Sequence, residues 1–393
     1  MIHLRQRRAK VIAAVLAVAA LAQLPVVWAA STLGVPAWIT VTCGALVSLP
    51  FMGQLLRSPW DHRPRSRLHK YLVMWPFYTW WTFCLVFTAH AVAALSVAAV
   101  TPLPTPTALL VCFPLAGLWT LRALRPRPRV TRMSILIENL PQAFEGFRIV
   151  HLSDLHCGPF TPRARVAHWV RRANALKADL AVVTGDLITS GTDHVEDVAM
   201  ALGGLKAPFG AFGCLGNHDY FGTDGTVGPA LEAQGVRVLS NRGVLLRRPG
   251  GTLYLAGVDD NWSERDDLGR ALRDRPARVP TVLLAHDPAL FPPASQAGVD
   301  LVLSGHTHGG QFAVPWLVRR FNLARLMTPF SSGLYRLGRT TLFVNHGLGT
   351  SGPPIRLGAR PELALITLVR ARHSTAASFA DAAHTDLARQ SSA

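Results

Sequence analysis

Two patterns of apolar residues divide the chain. Through about residue 124 the apolar runs are long and nearly uncharged, at residues 11–30, 34–56, 71–99 and 101–121. Each is near the roughly 20 apolar residues that span a hydrocarbon core, so the pattern predicts an all-α region of four transmembrane helices. Gln23 and Pro25 weaken the first run, and Pro102, Pro104, Pro106 and Pro114 make the fourth the weakest. Beyond the Arg-rich stretch 125–129 the runs shorten to four or five residues. Those at 148–152, 179–183, 211–215, 281–284 and 299–303 read as strands buried on both faces. Residues 163–177 and 194–206 carry apolar positions at helical spacing. Residues 237–258 read as a β-meander turning at Pro249-Gly250-Gly251, and 333–369 as further strands. The expected fold is α/β, two sheets packed as a sandwich with helices outside, over residues 146–370. Residues 125–145 are expected to be a basic linker leading into this domain, and the Ala-, Ser- and Thr-rich tail 371–393 to be disordered.

Composition sharpens the membrane reading. Of 393 residues 49% are hydrophobic and only 16% charged, yet the formal net charge is +17. Thirteen Lys/Arg against the single acid Asp61 give residues 1–130 a net +12, leaving +5 for the rest. The excess falls in three groups, 5–10, 57–70 and 122–132, which alternate with uncharged loops near 31–34 and 101–107. By the positive-inside rule both ends face the cytoplasm, as expected of a multi-pass membrane protein. A basic excess confined to membrane loops argues against nucleic acid as the main partner. Arg7-Arg8 before an apolar run also has the form of a twin-arginine export signal, which would place the domain outside. Cys43, Cys84, Cys112, Cys157 and Cys214 form no C-x-x-C pair and read as reduced thiols, Cys157 as a buried filler.

The chemistry gathers where the short strands run out. Asp154 and His156 follow the first, Gly185-Asp186 the second, Gly216-Asn217-His218-Asp219 the third, His286-Asp287 the fourth, and Gly305-His306-Thr307-His308 the fifth. In open α/β sheets such strand ends line one crevice. Carboxylate, imidazole and amide oxygen without thiolate suit Mn, Fe, Zn or Co. Asp186, alone after its strand, is placed to bridge two ions, which would lower the pKa of a shared water and clamp both oxygens of a phosphoryl displacement. His151, His168 and His194 fall inside strand or helix patterns and His90 inside an apolar run; all four read as ordinary. Asp287 reads equally as support for the metal site or as a cap before Pro288.

These five clusters, in this order, resemble the motif set of the calcineurin-like metallophosphoesterases across about residues 146–370. Gly309-Gly310-Gln311, and Asn345-His346-Gly347-Leu348-Gly349 with Arg356, are similar to a bacterial, membrane-anchored branch. The resemblance implies two divalent ions, one on Asp154, His156, Asp186 and His308, the other on Asp186, Asn217, His286 and His306. It implies that His218 donates a proton to the leaving group or stabilises charge. His346 and Arg356 become candidates for substrate phosphate. In the protein-phosphatase branch Gly-Asp continues to a second aspartate that orients the histidine; Gly185-Asp186-Leu187-Ile188-Thr189 has none. A phosphoprotein phosphatase is therefore disfavoured, and the group that orients His218 stays open. The expected function is hydrolysis of a phosphoester or pyrophosphate at the membrane, with an amphiphilic substrate such as UDP-diacylglucosamine offered by the resemblance. The alternatives are a transporter or scaffold carrying a regulatory phosphoesterase-fold module, and a soluble phosphodiesterase or nuclease activity.

Overall fold

Apolar alternation in the second part of the chain builds twelve strands, seen in a computed structural model that describes residues 17–57, 67–223 and 225–371. By compactness the chain divides into Met1–Pro126 with Pro353–Ile355, and Arg127–Gly352 with Arg356–Ala393. In the second unit β1 (Arg129–Ile137), β2 (Arg148–Ser153), β3 (Leu180–Thr184), β4 (Ala211–Cys214) and β5 (Val236–Val238) begin one sheet. A second sheet follows from β6 (Arg242–Arg248), β7 (Gly251–Gly257), β8 (Thr281–Leu284), β9 (Leu301–Ser304), β10 (Gly333–Leu337) and β11 (Thr340–Val344). The chain then returns to the first through β12 (Glu362–Arg370). The strand orders are β1-β12-β2-β3-β4-β5 and β10-β11-β9-β8-β7-β6.

Side-chain parity explains the layers, because successive residues of a strand face opposite ways. Ile149, Leu180, Val182 and Phe212 of the first sheet meet Leu253, Leu255, Val282, Leu284, Leu301 and Leu303 of the second in one buried core. The alternate positions Val150, Leu152, Ala181 and Val183 face outward onto Val166, Trp169, Val170 and Ala173 of helix Arg163–Asn174 and Val198 and Leu202 of helix Val195–Leu202. The second sheet's outer face, with Tyr254, Ala256, Leu283 and Val302, is covered by Phe291 and Ala294 of Phe291–Gln296. Because β2, β3 and β4 run parallel, as do β7, β8 and β9, their carboxyl ends emerge together within each sheet.

Two expectations change. Residues 125–145 are not linker throughout: β1 pairs in parallel with β12 over nine positions, Arg129 with Glu362 through Ile137 with Arg370. Arginine and serine on its exposed face dilute the apolar signal of Met133, Ile135 and Ile137. The stretch 237–258 is not one meander. Its first strand extends the first sheet beside β4, whereas β6 and β7 form a hairpin of the second, so the chain changes sheet near Ser240.

In the first unit helices Leu24–Thr32, Ala37–Arg57, Trp75–Ala98 and Thr105–Leu124 follow the apolar runs, the third led by a π turn Lys70–Met74. Two stretches, Lys70–Ala98 and Thr105–Leu124, are long and apolar enough to cross a membrane; Ala17–Thr32 and Ala37–Gly53 are shorter. Pro25 and Pro106 lie in first turns, where an N–H has no partner to lose, whereas Pro50 and Pro114 lie inside their helices. Gln23 is satisfied within the unit, accepting from Trp80 Nε1 at 3.0 Å and donating to the Ala19 carbonyl at 3.0 Å. The basic group 5–10, most of 57–70 and the tail from 372 lie outside the described residues.

Candidate metal centre

Each predicted cluster lies just past a strand end. Asp154 and His156 follow β2, Asp186 follows β3, Asn217 and His218 follow β4, His286 follows β8, and His306 and His308 follow β9. A sharp backbone reversal turns these side chains over the sheet ends. Asp154, His156, Asp186, His306 and His308 all have positive φ, at 50°, 46°, 51°, 69° and 54°. Residues with a Cβ pay about 1–3 kcal/mol each for such conformations, and they persist only where the surroundings dictate them. Five in one site mark a backbone held for its side chains. The turn also needs glycine: at Gly185, φ 67°, a Cβ would lie 2.5 Å from His286 Nδ1 and 2.7 Å from the Gly216 nitrogen.

The sheets meet at these groups. The His306 amide donates to Asp154 Oδ1 at 3.0 Å, and His286 Nδ1 donates to the Thr184 carbonyl of β3 at 2.9 Å. That bond fixes the His286 tautomer and turns Nε2 toward Asp186 Oδ1 at 3.2 Å and His306 Nδ1 at 3.1 Å. On the other side His156 Nε2 lies 3.0 Å from His308 Nε2 and 3.5 Å from Asp186 Oδ2, and His308 Nε2 lies 3.5 Å from Asp154 Oδ1. Donor atoms of Asp154, His156, Asp186 and His308 thus lie within 4.8 Å of one another, as do those of Asp186, His286 and His306. Asp186 belongs to both sets, one oxygen facing each.

Donor atoms packed this closely could hold a cation between them. Burial, the nearby His218 charge and others push His156 down to about 3, and burial with the Arg356 charge holds His308 well below the usual imidazole range. Burial and His286 lower His306 as well. These rings stay neutral, as metal ligands must. Burial would raise Asp186 and lower His286. Their mutual attraction and hydrogen bond reverse both, leaving the carboxylate well below its usual range and the imidazole at about 10, so that His286, unlike the other rings, would have to release a proton to ligate a cation. The buried Oδ1 of Asn217 has no hydrogen-bond partner among the described residues. An acceptor so placed costs about 1–3 kcal/mol unless something positive meets it.

His218 is half-buried, its ring edge-on to His156 with centroids 4.7 Å apart. Its Nδ1 donates to the Thr189 carbonyl at 2.7 Å, which leaves Nε2 open toward Ser351 Oγ at 3.5 Å. Asp219 points away from it. Its Oδ1 accepts from the amides of Leu187 at 2.8 Å and Ile188 at 3.2 Å, and its Oδ2 from Gly216 at 2.9 Å. Burial and the Asp186 charge raise Asp219 to about 7.

Arg356 is buried and donates to the carbonyls of His308 at 2.8 Å and Gly349 at 3.0 and 2.6 Å, behind the candidate metal ligands. His346, also buried, pairs Nε2 with Ser332 Oγ at 2.6 Å. Asp287 acts as the cap considered for it, accepting from the Ala289 amide at 2.8 Å, and also accepts from Trp262 Nε1 at 3.1 Å. His151 is a buried strand histidine with Nε2 2.7 Å from Thr184 Oγ1 and its Nδ1 without a partner among the described residues, and Cys157 is buried with its thiol pushed up to about 12. Sequence reading missed Trp262, 55% exposed and 5.3 Å by ring centroids from His306. The signal was there: Asp259-Asp260, one residue past β7, is another polar cluster at a strand end, and Asp260 accepts from the Trp262 and Ser263 amides.

Comparison with known proteins agrees with this geometry. The family model for calcineurin-like phosphoesterases matches residues 147–310. A zebrafish (Danio rerio) "transmembrane protein with metallophosphoesterase domain" is 36% identical over 282 residues, 68% of this chain and 63% of its own length. The uncharacterized metallophosphoesterase YkuE of Bacillus subtilis is 32% identical over 61% of this chain and 84% of its own, and an uncharacterized metallophosphoesterase of Aquifex aeolicus 34% over 61% and 91%. The chain spans a little under two thirds of the vertebrate relatives' length. Identity at this level over nearly the whole of the bacterial relatives is shared ancestry, and the chain belongs to the calcineurin-like metallophosphoesterase family.

Proposed function

We propose that the protein is a membrane-tethered, dinuclear metal-dependent phosphoesterase. The observation that carries this reading is Asp186, whose two carboxylate oxygens face two separate donor sets. Asp154, His156, Asp186 and His308 would hold one divalent ion of the Mn, Fe, Zn or Co type, and Asp186, Asn217, His286 and His306 the other. Bound there, such ions supply Lewis acidity toward water and phosphoryl oxygen. The chain's own residues do the rest. His218, locked by Thr189, presents Nε2 to protonate a leaving oxygen or, as imidazolium, to stabilise developing charge. Trp262, fixed by Asp287, shields the flank of His306 from water.

A phosphoester or pyrophosphate on an amphiphile is the substrate class that the apolar helices support. The four-span arrangement, with both termini in the cytoplasm of a bacterial plasma membrane, rests on the Lys/Arg groups that flank the apolar runs. The working domain runs from Arg129, where β1 begins, through Arg370. The test uses the full chain in detergent, loaded with Mn, on bis-p-nitrophenyl phosphate. Wild type hydrolyses it, while Asp186→Ala and His218→Ala are slower by about a hundredfold or more. Equal rates for all three would instead make the domain a binding module of a transporter or scaffold. A lipid pyrophosphate should then be cleaved faster than its deacylated counterpart; the reverse preference would favour a soluble phosphodiester or nucleic acid.

A further inference from the structure

Residues 314–327 form the most apolar exposed segment of the phosphoesterase domain. Trp316 is 93% exposed, Leu326 85%, Met327 76% and Phe321 57%, with Val314, Leu317 and Leu323 exposed beside them. Side chains of this kind spread over one short loop exceed the scattered apolar exposure of a soluble surface. The loop also carries Arg319, Arg320 and Arg325, all exposed, and no acid occurs anywhere from Phe312 to Phe330. Indole, phenyl and aliphatic groups interleaved with arginine suit a surface with an apolar interior beneath negative charge. We infer that this loop docks on an anionic lipid surface. A bilayer is also the partner the chain is built for, since Lys70–Ala98 and Thr105–Leu124 are long and apolar enough to cross one.

The neck of the loop ties this surface to the metal centre. Asn322 Nδ2 donates to the Val318 carbonyl at 2.6 Å and to Ser331 Oγ at 2.9 Å, and the Leu323 amide donates to the Phe312 carbonyl at 3.2 Å. Thr307, between His306 and His308, donates from Oγ1 to the Ser331 carbonyl at 2.8 Å. Lipid contact at the loop therefore bears on the segment that carries both histidines. The docking does not depend on hydrolysis and stands or falls without it.

The test is made on the full chain in nanodiscs, with an environment-sensitive fluorophore on Met327→Cys. The one exposed native cysteine, Cys43, is replaced by serine. In discs of phosphatidylcholine with phosphatidylglycerol, spin-labelled acyl chains should quench the probe and aqueous acrylamide should not. In phosphatidylcholine alone, or with Arg319→Glu/Arg320→Glu/Arg325→Glu in the anionic discs, the pattern should reverse. Circular dichroism checks that this variant is folded; if it is not, Arg320→Gln/Arg325→Gln replaces it. Acrylamide quenching in the anionic discs overturns the proposal, as does lipid quenching that is equal in both disc types. Protection from both quenchers overturns it too, because a second copy or another protein then covers the loop.

Discussion

The Nδ1–H of His218 donates to the main-chain carbonyl of Thr189 at 2.7 Å. Gly185-Asp186-Leu187-Ile188-Thr189 carries no second aspartate, and a backbone carbonyl meets the ring nitrogen here in place of a side chain. A carbonyl fixes the tautomer and orientation but adds no full charge beside the imidazole. Thr189→Val keeps that carbonyl and loses only a 3.2 Å bond from Oγ1 to the His156 carbonyl. Its kcat on bis-p-nitrophenyl phosphate should stay within about tenfold of wild type. His218→Ala, which removes an acid–base group, should lower kcat by about 10²–10⁴. Equal losses in the two variants would show that the Thr189 side chain, not its carbonyl, is what counts.

Asp219 bears on the same loop from behind. It holds the amides of Leu187, Ile188 and Gly216, and so fixes the approach to Thr189 and the turn before Asn217. Asp219→Ala leaves three buried amides without an acceptor, at about 1–3 kcal/mol each, or about 3 kcal/mol at the least. For a domain of this size that lowers the melting temperature by about 6–12 °C. Because the carbonyl that holds His218 loosens with the loop, kcat should fall more than KM rises. A melting temperature equal to wild type would refute the clamp.

The division of ligands can be read by metal analysis of purified protein. Asp186→Ala should lose both ions, whereas His156→Ala and His306→Ala should each lose one, from opposite sides of the carboxylate. Groups that merely orient ligands cost 10–100-fold in affinity or activity, so loss of a ligand should cost at least about 100-fold in kcat/KM. Chelation should abolish hydrolysis, and added Mn or Zn should restore it. Retention of both ions by Asp186→Ala would remove the basis for a dinuclear site.

Side-chain chemistry was legible in the sequence, and backbone chemistry was not. Asp154, Asp186, Asn217, His286 and His306 stand out because each ends an apolar run, and parallel strands bring such ends together. The bond from His218 to Thr189 could not be seen, since every residue has a carbonyl and only the turn after Asp186 aims this one. Strand β1 was hidden because Arg132 and Ser134 on its exposed face, together with Arg129 at its start, read as linker. The change of sheet between β5 and β6 was hidden for a related reason: both strands have the same two-residue period, and period does not say which sheet a strand joins. Trp262 was overlooked as a lone aromatic, although the acids before it follow a strand end like the other clusters.

Glu362, at the start of β12, joins β1 to the loop that carries His346. Its carboxylate accepts from Arg129 Nη2 at 3.0 Å, from the Thr131 hydroxyl and from the His346 amide at 3.2 Å. Burial alone would raise its pKa; the charges of His346 and Arg129 and these hydrogen bonds hold it below the ordinary 4.5 instead. A carboxyl group whose folded pKa is depressed adds stability above its unfolded pKa, and that stability fades as pH falls toward the folded value. Glu362→Gln should therefore melt below wild type at pH 7, by the equivalent of about 1–3 kcal/mol. The gap should narrow once the pH drops under 4.5, where the wild-type group begins to lose its advantage. Melting followed by circular dichroism in detergent, with wild type and variant side by side from pH 7 to pH 3.5, isolates this group from the other carboxyls titrating in the same range. A gap that stays constant across that window would mean that the ionised form of Glu362 contributes nothing to the β1–β12 junction.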